Sequence, residues 1–342
     1  MKRFSAIILF FICTTSLSVQ AQSAIDSVQF FIGDNPINVS IITDLGNILS
    51  GKLKDENQKA TFSCKLPDSS VLNKEIRLKL RGHARRNICY MPPISLLFHN
   101  PSSPGQYSIN NLKLVSSCRD NSYYDQFLLK EYLIYKMYNL LTAKSFHVRL
   151  LNLTCIDSKG SKKSFTRHAF LLEDIDALAE RNACKELNKK EFGTESTDRA
   201  QMTMVAIFQY MIGNTDWSVP KNHNVKLIVD KEDSTAKPYV VPYDFDYSGL
   251  VNADYAMPAP ALNLENVTQR QYRGFPRTME ELDAVLKIYK QQKENIYALI
   301  KNFEPLDKQN KKEMMYYLDN FYEIINNPRK VQYTFIDDAR LQ

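Results

Sequence analysis

Asp216, Asn224 and Asp244 are the residues whose types and order could do chemistry in this chain. Asp216 opens the polar run Asp216-Trp217-Ser218-Val219-Pro220-Lys221-Asn222-His223-Asn224. The strand-like Val225-Lys226-Leu227-Ile228 follows, and Asp244 stands in Pro242-Tyr243-Asp244-Phe245-Asp246. Phosphoryl transfer needs such a set: one carboxylate to orient the attacking hydroxyl, and an amide oxygen with a second carboxylate to hold the metal bridging the phosphates. The order of helix, polar loop, short strand and acid predicts a hairpin that returns Asp244 beside the loop bearing Asp216 and Asn224. A single Asp216 or Asn222 would read as an Asx turn. The three aligned elements together point to a metal-nucleotide cleft. On a strand, Asp244 and Asp246 would share a face by the period of two, so one metal could use both.

Other reactive side chains lack such spacing. His83, His99, His147, His168 and His223 form no zinc-type pattern, and only His223 sits near the proposed cleft. The segment Tyr272-Arg273-Gly274-Phe275-Pro276-Arg277 fits a phosphorylated or acidic substrate, or a loop salt bridge, the plainer of the two readings.

Positioning the acids is the task of the surrounding elements. Residues 26–115 alternate apolar and polar side chains as half-buried antiparallel strands do, for example Ile37, Val39 and Ile41, or Ile76, Leu78 and Leu80. Residues 121–142 form a helix-length run apolar on most faces, predicting a buried helix that closes the sheet. Two strands are expected over 147–156 and 164–172, separated by Asp157-Ser158-Lys159-Gly160. Beyond residue 175 helices dominate, at 176–185, 197–212, 279–300 and 307–325, interrupted by short strands at 225–229 and 239–241.

Composition bounds the class of protein. With 342 residues, 44% apolar and 24% charged side chains and only 10 Gly, the chain is neither disordered nor collagen-like. Lys2 and Arg3 precede an apolar run that ends at Val19-Gln20-Ala21, which reads as a signal peptide over 1–21 and an exported, periplasmic or extracellular protein. The formal charge of +6, two of it from Lys2 and Arg3, argues for no nucleic-acid partner. No later apolar run reaches the roughly 18 residues of a transmembrane segment. Cys13 falls in the signal, leaving Cys64, Cys89, Cys118, Cys155 and Cys184, an odd number. Cys89 and Cys118 flank the predicted strand pair 94–98 and 112–115, and a disulfide between them is expected.

In the two acidic motifs the chain resembles the CotH kinase family, spore coat protein H-like proteins, and most of all its exported bacterial members. The resemblance runs from Arg77-Leu78-Lys79-Leu80-Arg81-Gly82 to about Tyr255. It implies an α+β, two-lobed protein kinase-like fold: an N-terminal antiparallel sheet lobe with one long helix (22–172) and a helical C-terminal lobe carrying the metal and catalytic loops (173–342). It implies ATP and Mg or Mn as cofactors, Asp216 as catalytic aspartate, and Asn224 and Asp244 as metal ligands, with Asp246 a second candidate. Asn222 lies six and Asn224 eight residues past Asp216, and the preference for Asn224 comes from the resemblance.

The same resemblance assigns the cofactor contacts. No two glycines stand at G-x-G spacing, so the segment beginning at Arg81 would cover the phosphates. Pro92-Pro93-Ile94-Ser95 stands where the family continues into a Pro-Lys strand. Lys113, paired with Glu131 on the long helix, would replace that lysine, as a strand lysine and helix glutamate do in kinases. Glu173 falls at the hinge, facing an adenine or capping the next helix. The implied activity is Mg-ATP-dependent phosphoryl transfer to a protein or small envelope substrate. The alternative is a catalytically degenerate kinase-like module for binding or assembly in the envelope.

Overall fold

Alternating burial shapes the first half of the chain. The computed structural model describes residues 30–31, 33, 35–50, 57–65, 71–81, 89–98, 111–119, 121–233 and 235–339. The signal-peptide reading and the stretch from Gly82 to Arg86 lie outside the described residues. Strands β1 (Ile37–Thr43), β2 (Gln58–Lys65), β3 (Val71–Leu80), β4 (Ile94–Phe98), β5 (Asn111–Ser116), β6 (Val148–Asp157) and β7 (Phe165–Leu172) turn alternate residues inward. The interior is packed with Val39, Ile41, Phe62, Ile76, Leu78, Leu96, Leu114, Leu153 and Leu171.

These strands overturn the expected two-lobed protein kinase-like fold with an open antiparallel sheet. Among the described residues seven strands close into a mixed barrel in the order β1-β2-β3-β4-β5-β7-β6. The closing pair, β1 with β6, is parallel, running from Ile37↔Leu151 to Thr43↔Asp157, while the other pairs are antiparallel. Alternation in β1 says which residues face inward but not which strand it joins. Closure also removes the exposed edges that an open sheet would leave to cover.

The barrel wall at β6 and β7 is buried on both faces. Leu151, Leu153, Ala169 and Leu171 fill the interior. Val148, Leu150, Phe170 and Leu172 point outward into a second core shared with helix α2 (Ser122–Leu141) and the C-terminal elements. Asn121 caps α2 by accepting the Tyr123 amide, and the helix is buried on nearly all sides, as its apolar composition predicts. The expected disulfide joins Cys89 to Cys118 at the ends of the β4–β5 hairpin, and Cys64, Cys155 and Cys184 are free and buried.

The C-terminal half adds α3 (Ile175–Arg181), β8 (Cys184–Glu186), α4 (Arg199–Ile212), β9 (Val225–Asp230), β10 (Tyr239–Pro242), α5 (Met279–Asn302) and α6 (Lys308–Ile325). The helix expected over 176–185 ends early, at Arg181, because Ala183 takes a left-handed φ of 54° and Cys184 to Glu186 pair with β9. Among the described residues no helix is long and apolar enough to cross a membrane.

The end of α4 is tied down where the first acidic motif begins. Gly213 terminates the helix at φ 66°, a left-handed position that glycine occupies without a Cβ penalty. Arg270 donates to the terminal carbonyls of Tyr210 and Met211. The Gly213 carbonyl accepts the Gly249 amide at 3.1 Å, joining the two acidic motifs at their ends. A Cβ on Gly213 would collide with the Tyr317 hydroxyl, and one on Gly249 with the Val267 carbonyl. Gly213→Ala is therefore expected to cost about 2–3 kcal/mol through strain and overpacking. Urea unfolding checks this, and a midpoint unchanged from wild type would refute it.

Candidate functional site

The first motif is a loop whose side chains hold one another. Asn214 is buried, and its Oδ1 accepts the Asp216 amide at 3.0 Å. Asp216 Oδ1 lies 2.7 Å from His223 Nε2, and Asp216 Oδ2 accepts from Asn224 Nδ2 at 3.0 Å. The same amide nitrogen also donates to the Asp216 carbonyl at 2.7 Å. Ser218 and His223 exchange both backbone hydrogen bonds, folding 218–223 into a tight hairpin that brings the imidazole and Asn224 back to Asp216. Asn222 instead donates to the Lys189 carbonyl, a turn-stabilising role. Asn224 is thus the amide beside Asp216.

The expected return of the second motif is found. Strands β9 and β10 pair antiparallel from Val225↔Pro242 to Ile228↔Tyr239, and the Tyr243 amide donates to the Asn224 carbonyl at 3.0 Å. The Asp244–Asp246 strand face is overturned, however. β10 ends at Pro242 and Asp244 turns left-handed at φ 63°, so strand alternation does not govern these two acids. Asp246 is buried at 4% exposure, whereas Asp244 is only half-buried. Among the described residues no three His, Cys, Asp or Glu side chains are grouped to hold a metal ion. A carboxylate and an amide are nonetheless oxygen donors suited to Mg, which binds through one or two protein ligands when phosphates supply the rest.

Of seven non-glycine residues with positive φ among those described, Asn222, Asn224 and Asp244 fall here. Such conformations gather where function over-determines the backbone, and Asn and Asp adopt them most readily.

Helix α2 and strand β5 complete the site. Glu131 Oε1 accepts the Phe245 amide at 3.4 Å, and the Tyr135 hydroxyl, one turn on, accepts the Asp244 amide at 2.8 Å. Lys113 places its ammonium 4.6 Å from the centre of the Tyr243 ring. Burial, with Arg81 and Lys226 nearby, pushes the Lys113 ammonium down to about 8, against the pull of Asp244 and Asp174. Lys113 and Glu131 therefore converge on one segment, residues 243–245. Lys113 also stands directly across from Ser95 in the β4–β5 register, so its side chain leaves the face on which Ser95 lies.

Arg81 donates from Nε to the Ile94 carbonyl and from Nη2 to the Leu114 carbonyl, both at 3.3 Å, at the end of the barrel near Lys113. Glu173 takes a structural place. Its carboxylate pairs with Arg181 at 2.9 Å and accepts the His147 amide, while Arg181 also binds the Ala143 and Ser145 carbonyls. Its neighbour Asp174 caps α3, is pushed up by burial, and feels the Lys113 charge.

Tyr135, Asp174 and Lys226 are the contributors that sequence reasoning missed. Tyr135 had a signal, its i, i+4 relation to Glu131. No protein-family model matches the chain, and no curated protein matches it. The resemblance to the CotH kinases thus rests on its motif residues.

Proposed function

We propose that the chain is an exported CotH-like phosphotransferase that moves the terminal phosphoryl group of ATP, with Mg or Mn, to a hydroxyl of a protein or small envelope substrate. The observation that carries this reading is Lys113: a half-buried lysine, beside Arg81 and Lys226, facing the loop of Asp244. Keeping like charges together in a partly desolvated place costs stability, and such a cost is characteristic of sites built for a ligand. Lys226 is paired with Glu186 at 2.7 Å, and polyphosphate is the anion that suits the remaining two, Lys113 and Arg81.

Each residue then has a role. Lys113 and Arg81 bind phosphate oxygens, and Glu131 and Tyr135 fix the backbone of Asp244 and Phe245. Asp244 and Asn224 would hold the metal, with Asp246 behind them. The bound metal supplies charge neutralisation on the phosphates. Asp216, steadied by His223 and Asn224, orients the acceptor hydroxyl. In-line attack forms the new P–O bond as the bond to the ADP oxygen breaks.

One observation favours a second reading, a binding or assembly module without turnover. Both Asp216 oxygens already have partners within the chain, and Glu173 is committed to Arg181. Calorimetric titration of the mature protein with ATP in Mg, in Mn and in EDTA separates the two. Saturable binding with either metal and none in EDTA is expected. No heat with either metal would sink the phosphotransferase and leave the module.

A further inference from the structure

Arg273 holds the backbone around Asp216 from outside the motif. One of its guanidinium nitrogens, Nη1, donates to the carbonyls of Thr215 and Trp217, the second at 3.1 Å. Its guanidinium carbon also lies 5.7 Å from the centre of the Trp217 ring. These carbonyls belong to the residues on either side of Asp216. A single nitrogen therefore closes the three-residue arch 215–217.

The arch has little else to hold it. Among the described residues no backbone–backbone hydrogen bond involves Thr215, Asp216 or Trp217. Three side chains do that work instead: Asn214 on the Asp216 amide, Asn224 on the Asp216 carbonyl, and Arg273 on the two flanking carbonyls. The Asp216 carboxylate itself is 42% exposed, so close packing does not fix its direction. Asn214 and Asn224 belong to the motif, whereas Arg273 arrives from nearly sixty residues on, by way of a loop anchored through Arg277. That anchor is the loop salt bridge expected for the segment: Arg277, buried, binds both carboxylate oxygens of Glu195, at 2.7 and 3.0 Å.

We infer that Arg273 is a positioning residue for Asp216, fixing the backbone arch from which the carboxylate projects while His223 and Asn224 hold its two oxygens, rather than touching nucleotide or acceptor. This rests on the phosphotransferase reading for its catalytic consequence, but not for its structural one. A misplacement of about 1 Å in a catalytic group costs about 100-fold in rate. The loss should therefore fall on turnover and spare nucleotide affinity.

The test compares wild type with Arg273→Met, which keeps the stem, and Arg273→Lys, which keeps one donor nitrogen. ADP release from MgATP, with water as acceptor, gives kcat and KM. Amide hydrogen exchange at 215–218 without nucleotide reports the arch. Arg273→Met is expected to lower kcat about 30- to 100-fold with KM for ATP unchanged within a factor of about three. Its exchange at 215–218 should speed about tenfold while the barrel is unaffected. Arg273→Lys should recover most of both.

An unchanged kcat in Arg273→Met, or a matched rise in KM and fall in global stability, would overturn the positioning role. Absence of ADP release in wild type would overturn the phosphotransferase reading alone. The exchange comparison then decides by itself: faster exchange upholds the clamp, and unchanged exchange removes it.

Discussion

Asp244→Ala should abolish metal-dependent ATP binding, whereas Asp216→Ala should bind ATP normally and lose turnover. The two acids sit on loops that Asn224 joins, its side chain on Asp216 and its carbonyl on the Tyr243 amide, so a purely structural account would predict similar damage from either. Their proposed tasks differ. Asp244 holds the metal against phosphate oxygens in the ground state, and its loss should raise the Kd for MgATP about 100-fold, or roughly 2.7 kcal/mol. Asp216 orients the acceptor, an interaction that matters in the transition state, and its loss should lower kcat by about 100- to 10,000-fold at constant Kd. Calorimetry and single-turnover ADP formation measure the two quantities on the same preparations. If both variants bind and turn over like wild type, Asp244 is not a metal ligand and Asp216 does not orient the acceptor. Loss of binding in both variants with urea midpoints intact would assign Asp216 to the nucleotide as well.

Much of this site was legible because its determinants are local. The helix expected over 121–142 is found over Ser122–Leu141, since an Asn cap and burial on most faces are properties of the segment itself. The β9–β10 hairpin and the β6–β7 pair follow from alternation broken by turn residues, and the Cys89–Cys118 bond follows from the β4–β5 hairpin. What escaped reading is non-local. The parallel pairing of β1 with β6 joins residues more than a hundred positions apart and leaves no mark on either strand. β8 is three residues long and exists because β9 offers an edge. Asp244 carries no local sign that its φ is positive, so strand period was the wrong rule for Asp246. At the junction before α3, Glu173 and Asp174 are chemically alike. Arg181 captures the first and leaves the second near Lys113, a distinction made only by the path of α3.

Lys113→Met should stabilise the fold near neutral pH while weakening ATP binding, a combination that a structural lysine cannot give. Burial and the neighbouring Arg81 and Lys226 lower the ammonium from 10.5 to about 8. The folded state therefore resists protonation that the unfolded chain accepts freely. Between about pH 8 and 10.5 the unfolded chain holds more protons, so this lysine makes wild-type stability rise with pH across that window; below it the penalty is fully present. The difference, in which the pull of Asp174 and Asp244 is already included, corresponds to about 3 kcal/mol. Solvent still reaches this half-buried ammonium and screens part of that penalty, so its removal leaves a net gain of about 1–2 kcal/mol at pH 7, vanishing toward pH 10.5. Binding should move the other way, weakening about 10- to 100-fold through loss of a charge-assisted contact to phosphate. Wild-type affinity should fall as pH rises through about 8, where the ammonium discharges, and Lys113→Met should show no such fall. Urea unfolding and ATP titration at pH 7, 8, 9 and 10 measure both trends. A variant that is less stable than wild type at pH 7 and binds ATP equally well would make Lys113 a packing residue and remove the anion site from the barrel mouth.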